Sequence, residues 1–231
     1  EAKKVYDAIL GLKPEEKDAY FLRGSAELEL GDYESAKADF DKAISMDPKN
    51  YDRLIEIYEA LEDYGYREVG QEYLQNVLNT AKQLDAYDSG RIYYYLGDYQ
   101  KAYLALEEAK GKGGVDSYLY LGKAYAATGD YNYASSVYSN YLSKQGPDAE
   151  IYNQLGLCEM AKKDYQKALE AFQAGKQIEG NSLMQTLSFN EIVAYEYLQD
   201  YQKAAVLLKA YLQNYPDDQA AIREQQFLST R

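Results

Sequence analysis

Carboxylate pairs are the most frequent candidates for chemistry in this sequence. Adjacent acids occur at Glu15-Glu16, Glu107-Glu108 and Asp217-Asp218. Two carboxyl groups can serve as general acid and general base when their environments separate their pKa values, but adjacent residues on a helix do not face each other. Histidine, the usual base near neutral pH, is absent from all 231 residues. We therefore interpret these pairs as solvated helix ends or linkers and predict no catalytic residue.

The clusters that hold metals, phosphates or disulfides are also missing from the sequence. The single cysteine, Cys158, excludes an intrachain disulfide and a zinc site made of cysteines. The Gly-rich run at 110–114 lacks the GxxxxGK-Ser/Thr pattern of a phosphate-binding loop. Asp47 is not followed by the ligand series of a calcium loop. The sequence thus predicts no metal and no cofactor.

The overall charge excludes a further class of partner. Lys and Arg number 25 against 38 Asp and Glu, which gives a formal net charge of −13. A chain this acidic repels the phosphates of nucleic acids and of acidic lipids. No apolar run is long enough to cross a bilayer, so we predict no nucleic-acid partner and no direct membrane insertion of this segment.

A five-residue segment recurs along the chain. Asp98-Tyr99-Gln100-Lys101-Ala102 occurs again from Asp164 and from Asp200, with looser copies from Asp32 and Asp130. The glycines before these turns or in the same series are spaced by 34, 32 and 32 residues, at Gly31, Gly65, Gly97 and Gly129. Such a period is typical of solenoid repeats. The apolar periodicity on either side of each turn predicts two amphipathic helices joined by a tight turn.

The residue types at fixed offsets resemble the signature of the tetratricopeptide repeat (TPR) family. A Leu-Gly pair precedes the turn, as at Leu155-Gly156, and a small residue followed four positions later by a large apolar one comes after it, as in Ala168 and Phe172. The resemblance implies an all-α fold, a right-handed α-α superhelix (solenoid) of antiparallel helix pairs. The recurring aspartate is then expected to cap the second helix of each pair. Cys158, whose position holds alanine in four other copies, is expected to be a small packing residue.

We predict a single solenoid domain over residues 1–231. Six full repeats are placed at 17–50, 51–82, 83–114, 115–148, 149–184 and 185–218. Residues 1–16 are expected to form the second half of a preceding repeat. Residues 219–231 are expected to form a polar C-terminal capping helix, which a solenoid needs to cover its last apolar face.

The family's arrangement implies that the first helices line a concave, partner-binding groove. The side chains expected to point into it are Phe21, Ser25, Leu28, Ile55, Glu59, Glu62, Tyr87, Arg91, Tyr94, Leu119, Lys123, Ala126, Asn153, Leu157, Met160, Phe189, Val193 and Glu196. Arg91 and Lys123 are 32 residues apart and so fall on neighbouring hairpins, where they could hold one carboxylate or phosphate group of a ligand. The alternative is that they neutralise nearby acids such as Asp88 and Asp116.

The predicted function is that of a non-enzymatic protein-interaction scaffold. It would bind a peptide or helical segment of a partner protein in a groove rich in tyrosine, of which the chain has 28, because tyrosine combines a large apolar surface with a polar tip. The alternative is a structural or self-associating solenoid that oligomerises or acts as a spacer within a larger protein. The chain begins without methionine, so we expect a processed or truncated piece. Its compartment would be cytoplasmic or, for a lipid-anchored or secreted bacterial protein with its leader removed, extracytoplasmic.

Overall fold

The computed structural model describes residues 1–230, which form fourteen α-helices and no strand. The helices are α1 (Ala2–Leu12), α2 (Lys17–Glu29), α3 (Tyr33–Met46), α4 (Tyr51–Asp63), α5 (Arg67–Thr80), α6 (Ala86–Tyr95), α7 (Tyr99–Ala109), α8 (Gly114–Ala127), α9 (Tyr131–Gln145), α10 (Ala149–Ala161), α11 (Tyr165–Lys176), α12 (Met184–Tyr197), α13 (Tyr201–Asn214) and α14 (Gln219–Leu228). The predicted all-α fold is confirmed. Within residues 1–230, none of the helices combines the length and the apolar character that crossing a bilayer requires.

Helix packing divides the chain into two compact units, Glu1–Asp98 and Tyr99–Arg231. In the first unit α1 packs on α2, α2 on α3, and α4 on α5. In the second unit α7 packs on α8, and the pairs α8/α9, α10/α11 and α12/α13 follow, with α14 against α13. Consecutive helices therefore pack as hairpins in both units, which is the pattern that the repeats predicted. The exact repeat boundaries stay a prediction.

The turn aspartates begin the second helices as expected. The side chains of Asp32, Asp130, Asp164 and Asp200 each accept a hydrogen bond from the backbone N–H three residues later, at 3.0–3.3 Å. These bonds satisfy an N–H group that has no partner within the helix, and the carboxylate complements the positive end of the helix dipole. Folding thus accounts for the recurring aspartate without a catalytic or metal-binding role.

The residue before each turn aspartate adopts the left-handed conformation. Gly31 and Gly129 have φ values of 77° and 84°. The same turn position holds Lys163 and Gln199 in later copies, and both have φ of 64°. Side chains with a Cβ atom are strained in this region, whereas glycine is not.

Replacing Lys163 or Gln199 by glycine is expected to stabilise the protein. Relief of the left-handed strain outweighs the entropy that glycine loses on folding, so we expect a gain of about 0.5–1 kcal/mol in the free energy of unfolding for each change. Urea denaturation followed by circular dichroism measures it. Gly129→Ala is the reverse control and should lose a similar amount. A decrease in stability for both glycine variants would refute the strain argument.

Large apolar side chains of the second helices form the core of both units. Six of them are at most 1% exposed, namely Phe40, Leu74, Leu106, Tyr138, Phe172 and Leu208. Cys158 is 4% exposed, and its burial raises the pKa of the thiol to about 11. The thiol is therefore neutral at ordinary pH and acts as a small packing group, as expected.

Two glycines of the Leu-Gly pairs are placed where no side chain fits. A Cβ atom on Gly122 would lie 2.2 Å from Cζ of Tyr138, and one on Gly156 would lie 2.3 Å from Cε1 of Phe172. Both aromatic rings are fully buried. The close approach of each ring to the facing backbone therefore depends on glycine.

Candidate functional site

In the first unit, helices α2, α4 and α6 lie side by side and form the α2–α4–α6 surface. Arg53 on α4 bonds Asp18 on α2 at 2.8 Å, and Arg91 on α6 bonds Asp52 on α4 at 2.6 Å. These ion pairs join first helices of successive hairpins directly. The residues that the sequence assigned to a groove in this unit belong to these three helices.

Helices α8, α10 and α12 form the corresponding α8–α10–α12 surface of the second unit. Nζ of Lys123 on α8 lies 3.7 Å from Oε1 of Glu150 on α10. The side-chain amide of Asn190 on α12 donates a 2.9 Å hydrogen bond to Oδ1 of Asn153 on α10. One polar contact thus connects α8 with α10 and another connects α10 with α12.

The predicted groove residues of the first unit differ in exposure. Leu28, Ile55 and Arg91 are buried; Phe21, Ser25, Tyr87 and Tyr94 are partly buried; Glu59 and Glu62 are exposed. Leu28 packs with the buried Phe40, and Ile55 packs with the buried Leu74. Leu28 and Ile55 therefore offer almost no surface in this structure, and their part in a partner-binding groove stays a prediction.

Arg91 is held by contacts within the first unit. Its side chain is 8% exposed, bonds Asp52 and, at 2.8 Å, Asp88, and stacks its guanidinium 4.5 Å from the ring centre of Tyr87. Burial raises the pKa of Asp88, and the charge of Arg91 opposes that rise. The pairing with Asp88 agrees with the alternative of local neutralisation. Contact of Arg91 with a ligand stays a prediction.

The exposed acids of the α2–α4–α6 surface also have partners on their own unit. Glu59 accepts a 2.5 Å hydrogen bond from the hydroxyl of Tyr95. Glu62 accepts one from Tyr58 at 3.1 Å and lies 3.3 Å from Nε of Arg67. Glu59 and Glu62 are therefore engaged by tyrosines of α4 and α6 and by an arginine at the start of α5.

The α8–α10–α12 surface exposes an apolar side chain on its middle helix. Leu119 and Asn153 are buried and Lys123, Met160 and Phe189 are partly buried, whereas Leu157 is 41% exposed. Leu119 and Asn153, like Leu28 and Ile55, therefore present little surface, and contact of these residues with a partner stays a prediction. Leu157 and Met160 are three residues apart on α10 and so share one face of the helix.

A cleft of about 580 Å³ lies among α12, α13 and α14. Its lining residues are Val193, Glu196, Tyr197, Tyr201, Glu224 and Phe227. Burial, together with the facing carboxyl group of Glu224, raises the pKa of Glu196 to about 7. Val193 and Glu196 are predicted groove positions, whereas no sequence pattern places Glu224 or Phe227 in the cleft. Their spacing of three residues indicates only that they share a face of α14.

Comparison with known protein families agrees with the arrangement of the helices in repeated hairpins. Three family models described as Tetratricopeptide repeat match residues 17–50, 119–182 and 189–218. Together these segments make up more than half of the chain. No curated protein sequence matches it.

Solved structures of tetratricopeptide repeat proteins have a similar fold. A tetratricopeptide repeat protein from Parabacteroides merdae is 15% identical, with a TM-score of 0.69, 100% of this chain covered and 91% of that chain. Pseudomonas aeruginosa pilF is 18% identical, with a TM-score of 0.55 and 93% and 97% covered. YrrB, described as a TPR protein with an unusual peptide-binding site, is 18% identical, with a TM-score of 0.52 and 97% and 100% covered. At these identities the likeness concerns the fold.

Proposed function

The chain belongs to the tetratricopeptide repeat family, and we propose that it is a non-enzymatic interaction module whose α8–α10–α12 surface holds an extended peptide or a helix of a partner protein. Proteins of this family generally mediate protein–protein interactions and generally act as non-catalytic scaffolds. The description of YrrB gives one instance of a peptide-binding site on this fold. Peptide binding by the present chain is the part that we propose.

The exposure of Leu157 is the observation that carries the proposal. This leucine lies in the middle helix of the surface, with 41% of its area open to solvent and Met160 one turn away. Lys123 and Glu150 form a polar border on the α8 side. An apolar centre with a polar rim is the usual anatomy of a protein-binding surface, and apolar anchors at helical spacing suit a peptide or helix.

Leu157→Glu is expected to abolish most peptide binding by this surface. Peptides would be selected from a phage-displayed random library on the wild-type protein, and their affinities measured by isothermal titration calorimetry. Placing a charge against the apolar side of a bound peptide should weaken binding by at least about tenfold, because the carboxylate would lose its water without gaining a partner.

Leu104→Glu provides the matched control for this experiment. Leu104 is 61% exposed on α7, which does not belong to the α8–α10–α12 surface. The selected peptides should bind this variant as they bind the wild type. Equal binding to the Leu157 variant, or loss of binding in the Leu104 variant alone, would place the binding surface elsewhere and refute the proposal.

A further inference from the structure

The cleft among α12, α13 and α14 combines aromatic walls with two carboxyl groups. Tyr197 and Phe227 are 57% and 39% exposed, so their rings contribute accessible apolar surface. Tyr201, at the start of α13, completes the aromatic lining. The cleft has a volume of about 580 Å³, which is large enough to accept the end of one long side chain.

The two carboxyl groups come from different helices and face each other. Glu196 lies on α12 and Glu224 on α14, and their carboxyl groups interact directly. Oε1 of Glu196 is fully buried and has no hydrogen-bond partner among residues 1–230. A buried carboxylate oxygen without a donor costs free energy. The cleft thus contains one buried acceptor, Oε1 of Glu196, that an N–H donor of a ligand would satisfy.

We propose that this cleft receives an arginine side chain of the partner segment, an inference that rests on the proposed function. A guanidinium group presents N–H donors along its edges, which suit two carboxylates, and a flat face, which stacks on aromatic rings. Val193 and Glu196 belong to α12, so the cleft adjoins the α8–α10–α12 surface. The net charge of −13 also favours encounter with a basic segment.

Arginine binding in this cleft should be linked to the release of a proton. The titratable groups that line the cleft with Glu196 are Tyr197 on its own helix, Tyr201 on α13 and Glu224 on α14. Without a cation, Glu196 retains its proton up to about pH 7 because burial and the nearby Glu224 raise its pKa to about 7. A guanidinium group favours the ionised form of Glu196. Affinity should therefore increase as the pH rises through 7 and become constant above it.

N-acetyl-L-argininamide is the probe that tests this inference. Its binding to the isotopically labelled protein would be followed by NMR through the ring signals of Tyr197, Tyr201 and Phe227. We expect affinity to be at least about fivefold higher at about pH 8 than at about pH 5.5. N-acetyl-L-citrullinamide has nearly the same shape but no charge and should not bind. Glu196→Gln should weaken arginine binding by about fivefold or more and remove its pH dependence.

A second carboxylate provides the control variant, and the outcomes separate the two proposals. Glu108 is exposed on α7 and does not line the cleft, so Glu108→Gln should leave binding unchanged.

Equal binding of the citrulline compound, or unchanged arginine binding after Glu196→Gln, would overturn the arginine site. If the arginine site fails while Leu157→Glu still abolishes peptide binding, the proposed function stands alone. If arginine binds but the Leu157 test fails, the cleft is a site and the α8–α10–α12 surface is not the peptide site.

Discussion

Gly156→Ala is expected to lower the free energy of unfolding by about 2–3 kcal/mol. The added methyl group would lie 2.3 Å from Cε1 and 2.6 Å from Cδ1 of Phe172, far inside van der Waals contact. The Phe172 ring is fully buried in the core between α10 and α12, so it cannot move outward to make room. Separating the helices instead would lose contacts throughout the hairpin. Urea denaturation monitored by circular dichroism gives the difference.

Gly11→Ala is the matched control, since the same atom is added to another helical glycine. A Cβ atom on Gly11 meets no other atom within 4 Å. Alanine is the better helix former, so this variant should gain up to about 0.5–1 kcal/mol. Adding Phe172→Leu to the Gly156 variant should recover part of the lost stability, because the smaller side chain frees the space. Similar stabilities for the two single alanine variants would mean that the contact at Gly156 does not limit helix packing.

The elements could be predicted from the sequence because local rules determine them. The aspartate at Asp164 caps its helix through a bond to a residue three positions away, and Gly156 is recognisable from its fixed place in the repeat. Both the three-residue distance from the capping aspartate to its partner and the position of the glycine within the repeat can be read directly from the sequence. The left-handed residues Lys163 and Gln199 were harder to foresee, because only their alignment with the turn glycines indicates their conformation.

The surface chemistry could be predicted only in part. Repeat register correctly assigns Leu28 to a first helix, but the rotation of that helix about its axis decides whether the side chain faces solvent or core. Arg91 shows the same limit, because its bond to Asp52 depends on how closely α4 and α6 approach. The cleft could not be predicted from the sequence, because Glu224 lies on α14. This helix is outside the repeats, so the repeat pattern does not indicate which residues it contacts.

Arg91→Met is expected to cost about 2 kcal/mol of stability at pH 7. Methionine keeps much of the aliphatic stem but removes the charge that neutralises Asp88, whose side chain is only 20% exposed. Removing one partner of a buried ion pair is strongly destabilising. The loss is moderated here because the other partner, Asp52, is 76% exposed and regains its water. Urea denaturation at pH 7 measures the difference.

Arg53→Met is the control that separates burial from the mere presence of an ion pair. Arg53 also joins two first helices and also stacks on an aromatic ring, 4.1 Å from the centre of Phe21. Its acid partners, Asp18 and Glu56, are 54% and 49% exposed. Exposed pairs contribute little, so we expect a loss below about 1 kcal/mol. Equal losses for the two arginine variants would contradict the argument from burial.

The cost of Arg91→Met should depend on pH and on Asp88. Without the guanidinium, burial alone acts on Asp88, so the pKa of its carboxyl group in the folded protein rises further above the unfolded value. A raised carboxyl pKa favours the folded state at low pH and disfavours it as the pH rises through that pKa, so the loss should shrink near about pH 4. Adding Asp88→Asn removes the buried charge and should restore part of the stability at pH 7. A loss that is independent of pH and unchanged by Asp88→Asn would assign the effect to packing of the arginine stem instead of its charge.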